Sequence, residues 1–144
     1  MKKIEDLENL EQKKILIRLD LNVPLKNNQI TDATRIEKIL PTINFLIKKN
    51  CNIVIISHIG RPKGKVDKQL SMKPVCDYLS KKLNIKIRLI EENIFDFDPK
   101  TIFQNHENKI AMIENIRFYE QEEKNDENFA KILSNFGDIF VNDA

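Results

Sequence analysis

NIVIIS, residues 52–57, contains four consecutive β-branched residues, and the cationic stretch HIGRPKGK, residues 58–65, follows it at once. A short apolar run without alternation is typical of a strand that is buried on both faces, as in a parallel sheet. The loop after it contains two of the chain's three glycines, and glycine lets a backbone approach a ligand closely. We therefore predict a buried parallel strand that ends in an anion-binding loop.

Four further runs have the length of strands. The first, KILIRLDLN (14–22), alternates so that Arg18, Asp20 and Asn22 share one face. The others are KIRLI (86–90), KIAMI (109–113) and DIFVN (138–142).

Helical patterns separate these strands. Apolar residues recur at helical spacing over 34–49, where Pro41 implies either a kink or a later helix start. Further helices are predicted over 71–83, with Ser71 as a candidate cap, and from Asp126 to a stop at Gly137. Strands that alternate with helices require right-handed crossovers. The predicted fold class is therefore α/β: a three-layer, doubly wound, Rossmann-like parallel sheet of about five strands.

The overall composition argues against several classes of function. The 144 residues are enough for one domain, and a net charge of +2 is too small to indicate nucleic-acid binding. No segment approaches the ~20 apolar residues of a membrane helix, and the amino terminus lacks the apolar core of a signal peptide, so we expect a cytoplasmic protein. Cys51 and Cys76 are far apart and have no neighbouring ligands. We expect two reduced, buried thiols and no metal site.

The carboxyl ends of the predicted strands carry the polar residues that could form a site, and ligands of parallel sheets bind beyond these ends. Arginine occurs only five times, so each arginine is a candidate for a task that needs a planar, bidentate donor. Three guanidiniums and an imidazole would hold a phosphate and a second anionic group, while a carboxylate and an amide would suit a hydroxyl. The candidate residues are Asp20, Asn22, Arg35, His58, Arg61 and Arg117.

Each candidate taken singly also has a purely structural interpretation. A strand-end aspartate commonly stabilises a turn, an arginine in a first helical turn or a loop is commonly solvated, and Arg117 could pair with a nearby glutamate. For Arg18 and Arg88, which lie within strands, structural ion pairs are favoured, and His106 is expected to be an exposed loop residue. The convergence of the six candidates on one edge is what favours a site.

Five stretches of the chain form a recognisable set: RLDLNVPL (18–25), ITDATRI (30–36), SHIGRPKGK (57–65), ENIRFYEQEEKND (114–126) and FVNDA (140–144). In order and spacing they resemble the amino-terminal domain of phosphoglycerate kinase, and the resemblance covers essentially the whole chain, residues 1–144. It implies a monomeric, two-domain, hinge-bending kinase of glycolysis that transfers a phosphoryl group between 1,3-bisphosphoglycerate and ADP. In this family the amino-terminal domain holds the phosphoglycerate, and the carboxyl-terminal domain holds Mg-ATP or Mg-ADP.

The resemblance assigns a role to each of the six candidates. Asp20 and Asn22 match positions that contact the substrate. Arg35 matches the catalytic arginine that reaches toward the substrate's carboxyl end and stabilises the transferring phosphoryl group, a task that suits a permanently charged guanidinium. The histidine and the two remaining arginines match the cationic pocket around the phosphate that is not transferred. No residue of this chain is implied to bind the nucleotide or a metal.

Two departures from the family pattern matter. FVNDA stops where the family continues into a further phosphate-binding arginine and the nucleotide domain, so we expect an incomplete domain that is inactive alone. Asparagines replace family glycines at 27–28 and at Asn50, and asparagine is the best substitute at left-handed backbone positions. Two other readings remain open: a non-catalytic phosphate-binding or interaction module of the same fold, and a receiver-like signalling domain, which would need acidic residues where this chain has arginines.

Overall fold

The computed structural model of the protein describes residues 9–104 and 109–144, so the expectation for His106 lies outside the described residues. The elements in chain order are β1 Lys14–Leu19, β2 Leu25–Lys26, β3 Gln29–Ile30, α1 Thr34–Lys48, β4 Asn52–Ile56, α2 Lys73–Leu83, β5 Ile87–Ile90, β6 Ile110–Ile113, α3 Glu120–Glu123, α4 Glu127–Ser134 and β7 Ile139–Asp143. The predicted strands and helices are all present, with bounds shifted by one to three residues. The hairpin of β2 and β3 and the short helix α3 were not predicted.

The main sheet has five parallel strands in the order β5-β6-β4-β1-β7, which confirms the predicted α/β class. The apolar run at 52–57 forms its central strand. From β1 through β4 to β5 the chain moves across the sheet in one direction, and from β5 through β6 to β7 it moves in the other. Because such crossovers are right-handed, the two sets of connections lie on opposite faces of the sheet.

The hydrophobic core is accordingly divided by the sheet into two layers. On one face, α1 and α2 pack buried side chains such as Ile43 and Leu79 against Ile17 and Ile55 of the strands. On the other face, Phe129, Leu133 and Phe136 pack against alternate strand residues. The alternation along β1 is the reason that one strand serves both layers. Both cysteines are buried in the first layer.

The structure tests two expectations about the segments between the strands, the start of the first helix and the backbone conformation of three asparagines. The helix α1 begins at Thr34 and continues through Pro41, so the alternative of a later start is wrong. Asn27, Asn28 and Asn50 all have positive φ, between 52° and 61°, as expected for asparagine at left-handed positions.

The start of α2 differs in detail from the expected serine cap. Met72 is the capping residue by backbone geometry, and the Ser71 hydroxyl accepts a hydrogen bond from the Lys73 backbone N–H (3.1 Å). The Glu114 carboxylate, at the end of β6, accepts bonds from the Ser71 hydroxyl and from the Met72 N–H, both at 2.6 Å. A carboxylate at a helix amino terminus accepts hydrogen bonds from free N–H groups and interacts favourably with the positive end of the helix dipole.

Within the described residues, no helix has the length and apolarity needed to cross a bilayer.

Candidate functional site

The turn after β1 brings together three of the predicted site residues. The Arg35 guanidinium, in the first turn of α1, donates to the Asn22 carbonyl oxygen (2.8 Å) and to Asp20 Oδ1 (3.3 Å). The same Asp20 oxygen accepts from the Asn22 N–H (3.3 Å), and Asn22 Oδ1 accepts from the Gly60 N–H (3.1 Å). Arg35 and Asp20 are both about half exposed, so their charges remain accessible to a ligand.

A buried serine fixes this turn to the central strand. Ser57 follows β4 and is 1% exposed. Its hydroxyl donates to the Leu19 carbonyl (2.6 Å) and accepts from the Leu21 N–H (3.1 Å). These two bonds continue the pairing of β1 and β4 beyond the last ladder residues, and they hold Asp20 between two anchored neighbours. Leu21 is fully buried, so it contributes packing only.

His58, the next residue, is half-buried between charges of both signs. Burial lowers the pKa of His58, and the positive charges of Arg117 and Arg18 lower it further, while Asp20 and Glu122 raise it. The imidazole is therefore neutral at pH 7 in the free protein. An anion bound beside these guanidiniums would offset their charge and favour the protonated imidazole.

Arg18 forms a short ion pair with Glu122 at 2.6 Å, in which the two side chains are 26% and 13% exposed. Arg88 pairs more loosely with Glu92, at 3.7 Å. Both pairs confirm the structural interpretation of the two strand arginines.

Arg61 lies in the loop between β4 and α2, where its side chain is exposed. Gly60, Lys63 and Gly64 in this loop all have positive φ, of 63°, 58° and 74°. A Cβ on Gly64 would lie 2.6 Å from the Glu120 Cβ, so the loop approaches the chain after β6 closely enough to require glycine.

Arg117 lies in a short 3-10 helix just after β6. Its backbone carbonyl accepts from the Gly64 N–H (3.2 Å), which joins the two loops that carry Arg61 and Arg117. The Arg117 Nε is buried and has no hydrogen-bond partner among the described residues. No ion pair joins Arg117 to a described glutamate, so its alternative role as a surface ion-pair partner is not seen in that part of the chain.

These elements enclose a cleft of about 320 Å³ beyond the carboxyl edge of the sheet. Four of the six predicted residues line it, whereas Arg61 and Arg117 belong to the two adjoining loops and do not line it. The lining residues are Arg18, Leu19, Asp20, Asn22, Arg35, His58 and Ala144.

Sequence reasoning left Arg18 out of the site, although it shares a strand face with Asp20 and Asn22. The alternation of side chains along β1 was the sequence signal that could have identified Arg18. Although Arg18 pairs with Glu122, it still lines the cleft. Ser57 and Asn115 were also missed. Both are buried and neutral, and each has two hydrogen-bond partners that are distant in sequence, so no local pattern reveals these contacts.

The chain has the architecture of doubly wound α/β domains, in which ligands bind in a cleft beyond the carboxyl ends of the strands. The chain is a member of the phosphoglycerate kinase family, because that family's model matches residues 4–144. A phosphoglycerate kinase of Borrelia garinii subsp. bavariensis is 44% identical over 144 residues, and one of Wolbachia sp. subsp. Drosophila simulans is 45% identical over 143. These matches cover 100% and 98% of this chain but 37% and 36% of the relatives.

Solved structures agree with this assignment. The phosphoglycerate kinase of Coxiella burnetii superimposes with a TM-score of 0.84 at 41% identity, covering 98% of this chain and 34% of that one. The enzyme of Pyrococcus horikoshii OT3 also gives 0.84, at 30% identity, over 100% of this chain and 36% of that one. The chain therefore spans little more than a third of the length of the relatives that it matches.

Proposed function

We propose that these residues form the phosphoglycerate-binding part of a phosphoglycerate kinase. The reaction is reversible phosphoryl transfer between 1,3-bisphosphoglycerate and ADP, giving 3-phosphoglycerate and ATP. The observation that carries the proposal is the cleft, in which Asp20, Asn22, Arg35 and His58 meet beyond the carboxyl edge of the sheet. Family membership over almost the whole chain supports the choice of substrate.

The phosphate that is not transferred is assigned to His58, Arg61 and Arg117. Arg117 is close enough to His58 for its charge to lower the pKa of the imidazole, and its Nε lacks a partner among the described residues. A phosphate dianion would reverse the effect of the guanidinium on the histidine, and it would accept paired bonds from the arginines. The hydrogen bond between Gly64 and the Arg117 carbonyl supports a shared role for the two loops.

Arg35 is assigned to catalysis and Asp20 and Asn22 to substrate contacts. In the free protein the Arg35 guanidinium is held by the Asn22 carbonyl and by Asp20, and its other nitrogens are free to meet a transferring phosphoryl group. Phosphoryl transfer depends mainly on positioning and on charge placed around the equatorial oxygens. A guanidinium that is already oriented supplies both without a change of protonation.

Mg-ATP or Mg-ADP, which carries the phosphoryl group, is assigned to the part of the relatives' length that these 144 residues do not match. Two observations support this assignment. The chain covers only 37% of the Borrelia garinii relative, and its sequence contains no nucleotide-binding glycine motif. On this proposal the 144 residues bind phosphoglycerate but do not transfer phosphoryl groups alone. A cytoplasmic, monomeric, hinge-bending enzyme is the corresponding proposal for the whole protein.

The test uses the 144-residue chain and a chimera in which it replaces the matching 37% of the Borrelia garinii relative. Isothermal titration calorimetry should detect 3-phosphoglycerate binding to the chain, and glycerol 3-phosphate, which lacks the carboxylate, should bind more weakly. The chimera should convert 3-phosphoglycerate and Mg-ATP to products in a coupled assay, while the chain alone should not. A chimera that binds 3-phosphoglycerate but never transfers a phosphoryl group would favour the non-catalytic module. Turnover by the chain alone would refute the assignment of the nucleotide.

A further inference from the structure

Asn115 is a fully buried polar residue that takes no part in the cleft itself. It follows β6, and its side-chain amide nitrogen donates two hydrogen bonds, to the Ile59 carbonyl (2.8 Å) and to the Leu70 carbonyl (2.9 Å). Its side-chain oxygen accepts from the Arg117 N–H (3.0 Å). Both amide donors and the acceptor are therefore used, as a buried amide requires.

The hydrogen-bond partners of Asn115 belong to the two loops that carry Arg61 and Arg117. Ile59 and Leu70 lie at the two ends of the loop that carries Arg61. The side-chain NH₂ group of Asn115 bonds both ends and so holds them close to each other. The same side chain orients the turn that presents Arg117. The middle of the loop is tied to that turn a second time, by the bond from the Gly64 N–H to the Arg117 carbonyl.

We propose that Asn115 is the positioning residue of the anion site, which fixes the Arg61 loop relative to Arg117; this inference rests on the proposed function. Arg61 is exposed, and its loop contains three residues with positive φ and no regular structure apart from a 3-10 helix at Lys68–Leu70. The exposed Arg61 side chain is therefore not positioned by its own burial. An anion that bridges two guanidiniums needs both at the correct separation before it arrives, because ordering a loop during binding lowers affinity.

Asn115→Asp is the sharpest perturbation because it preserves shape and keeps the acceptor for the Arg117 N–H. It replaces the two donors by an oxygen that faces the Ile59 and Leu70 carbonyl oxygens, so both contacts become repulsive. Asn115→Ala, which removes the contacts without adding charge, is the second variant. Leu133→Ala is the matched control, since Leu133 is a buried residue of α4 on one face of the sheet and forms no bond to the loop.

The first measurement needs no ligand. Hydrogen exchange of the amides of residues 60–69, followed by mass spectrometry under conditions where each variant is folded, should accelerate about tenfold or more in both Asn115 variants relative to Leu133→Ala. Equal exchange in this loop for all three variants would overturn the proposal, because a merely destabilising substitution raises exchange throughout the chain.

The second measurement is calorimetric titration with 3-phosphoglycerate. The Asn115 variants should bind up to roughly tenfold more weakly than the unaltered chain, because the Arg61 side chain and its loop must then be ordered during binding, and Leu133→Ala should bind normally. In an Arg61→Ala background, the further effect of Asn115→Asp should largely disappear, since the two residues act through one loop. Full additivity of the two substitutions would overturn the proposal. Failure of the unaltered chain to bind would instead refute the proposed function, while the exchange result would still decide whether Asn115 holds the loop.

Discussion

Replacement of Arg35 by alanine should separate catalysis from stability. The ion pair with Asp20 is 3.3 Å long, and its side chains are 52% and 48% exposed, so it contributes about 0–1 kcal/mol to the free energy of unfolding. The bond to the Asn22 carbonyl is shorter, at 2.8 Å, and adds about 0.5–1.5 kcal/mol. Because both acceptors remain exposed to water after the substitution, we expect a total loss of at most about 2.5 kcal/mol.

The effect on turnover should be larger. In the chimera with the Borrelia garinii relative, we expect Arg35→Ala to lower kcat by about 10²- to 10³-fold, the scale for groups that stabilise charge in a transition state. The change in KM for 3-phosphoglycerate should be much smaller, because the interaction is made mainly in the transition state. Urea unfolding and steady-state kinetics on the same preparations measure the two effects.

Lys73→Ala provides the matched control for the loss of an exposed cation. Lys73 pairs with Asp77 at 3.1 Å, the two side chains are 62% and 63% exposed, and neither lines the cleft. Lys73→Ala should lower the free energy of unfolding by a similarly small amount and leave kcat unchanged. A raised KM with normal kcat in Arg35→Ala would make Arg35 a binding residue, and an equal loss of kcat in Lys73→Ala would refute the reasoning altogether.

Three further predictions concern other groups. Arg61→Lys and Arg117→Lys should each weaken 3-phosphoglycerate binding in calorimetry despite unchanged charge, since lysine cannot form paired bonds; normal affinity in both would contradict the assignment. Burial and the charges of Arg117 and Arg18 lower the pKa of His58, so the unfolded state binds more protons in acid. The stability due to this neutral histidine is present above about pH 6.5 and declines as pH falls, and urea unfolding from pH 8 to 5 should show a shallower decline in His58→Gln. Burial raises the pKa of Cys76 to about 12, so it should react with a thiol reagent only on unfolding, and rapid labelling of the native protein would contradict this.

The strands could be predicted from the sequence because each has its own pattern of apolar residues within a short segment of the chain. The apolar run at 52–57 is long enough for a central strand and too short for a helix, and the structure places it in the middle of the sheet. The left-handed asparagines were also predictable, since the requirement for positive φ belongs to single residues. The order of the strands was not specified, because it depends on contacts between residues far apart in the chain.

The site divides in the same way. Five of the six predicted residues were found from residue type and from their place after strand ends, and Arg35 from its place at the start of the first helix. Four of the six meet in one cleft. The roles of Ser57 and Asn115 could not be predicted. Ser57 is 36 and 38 residues from its partners, and two of Asn115's partners are 45 and 56 residues away. Serine and asparagine are common surface residues, so their burial becomes evident only when the sheet is assembled.

The groups expected to meet an anion and the groups that hold them in place are therefore of two chemical kinds. Burial of a charge before a ligand arrives has a large desolvation cost, so Arg35 and Arg61 remain exposed and Arg117 is only partly buried. Neutral hydrogen-bonding side chains can be buried when every donor and acceptor is used, as Ser57 and Asn115 are. Substitution of an exposed guanidinium should consequently change function with little effect on stability. Substitution of a buried hydroxyl or amide should change both, because the same bonds stabilise the fold and set the geometry of the cleft.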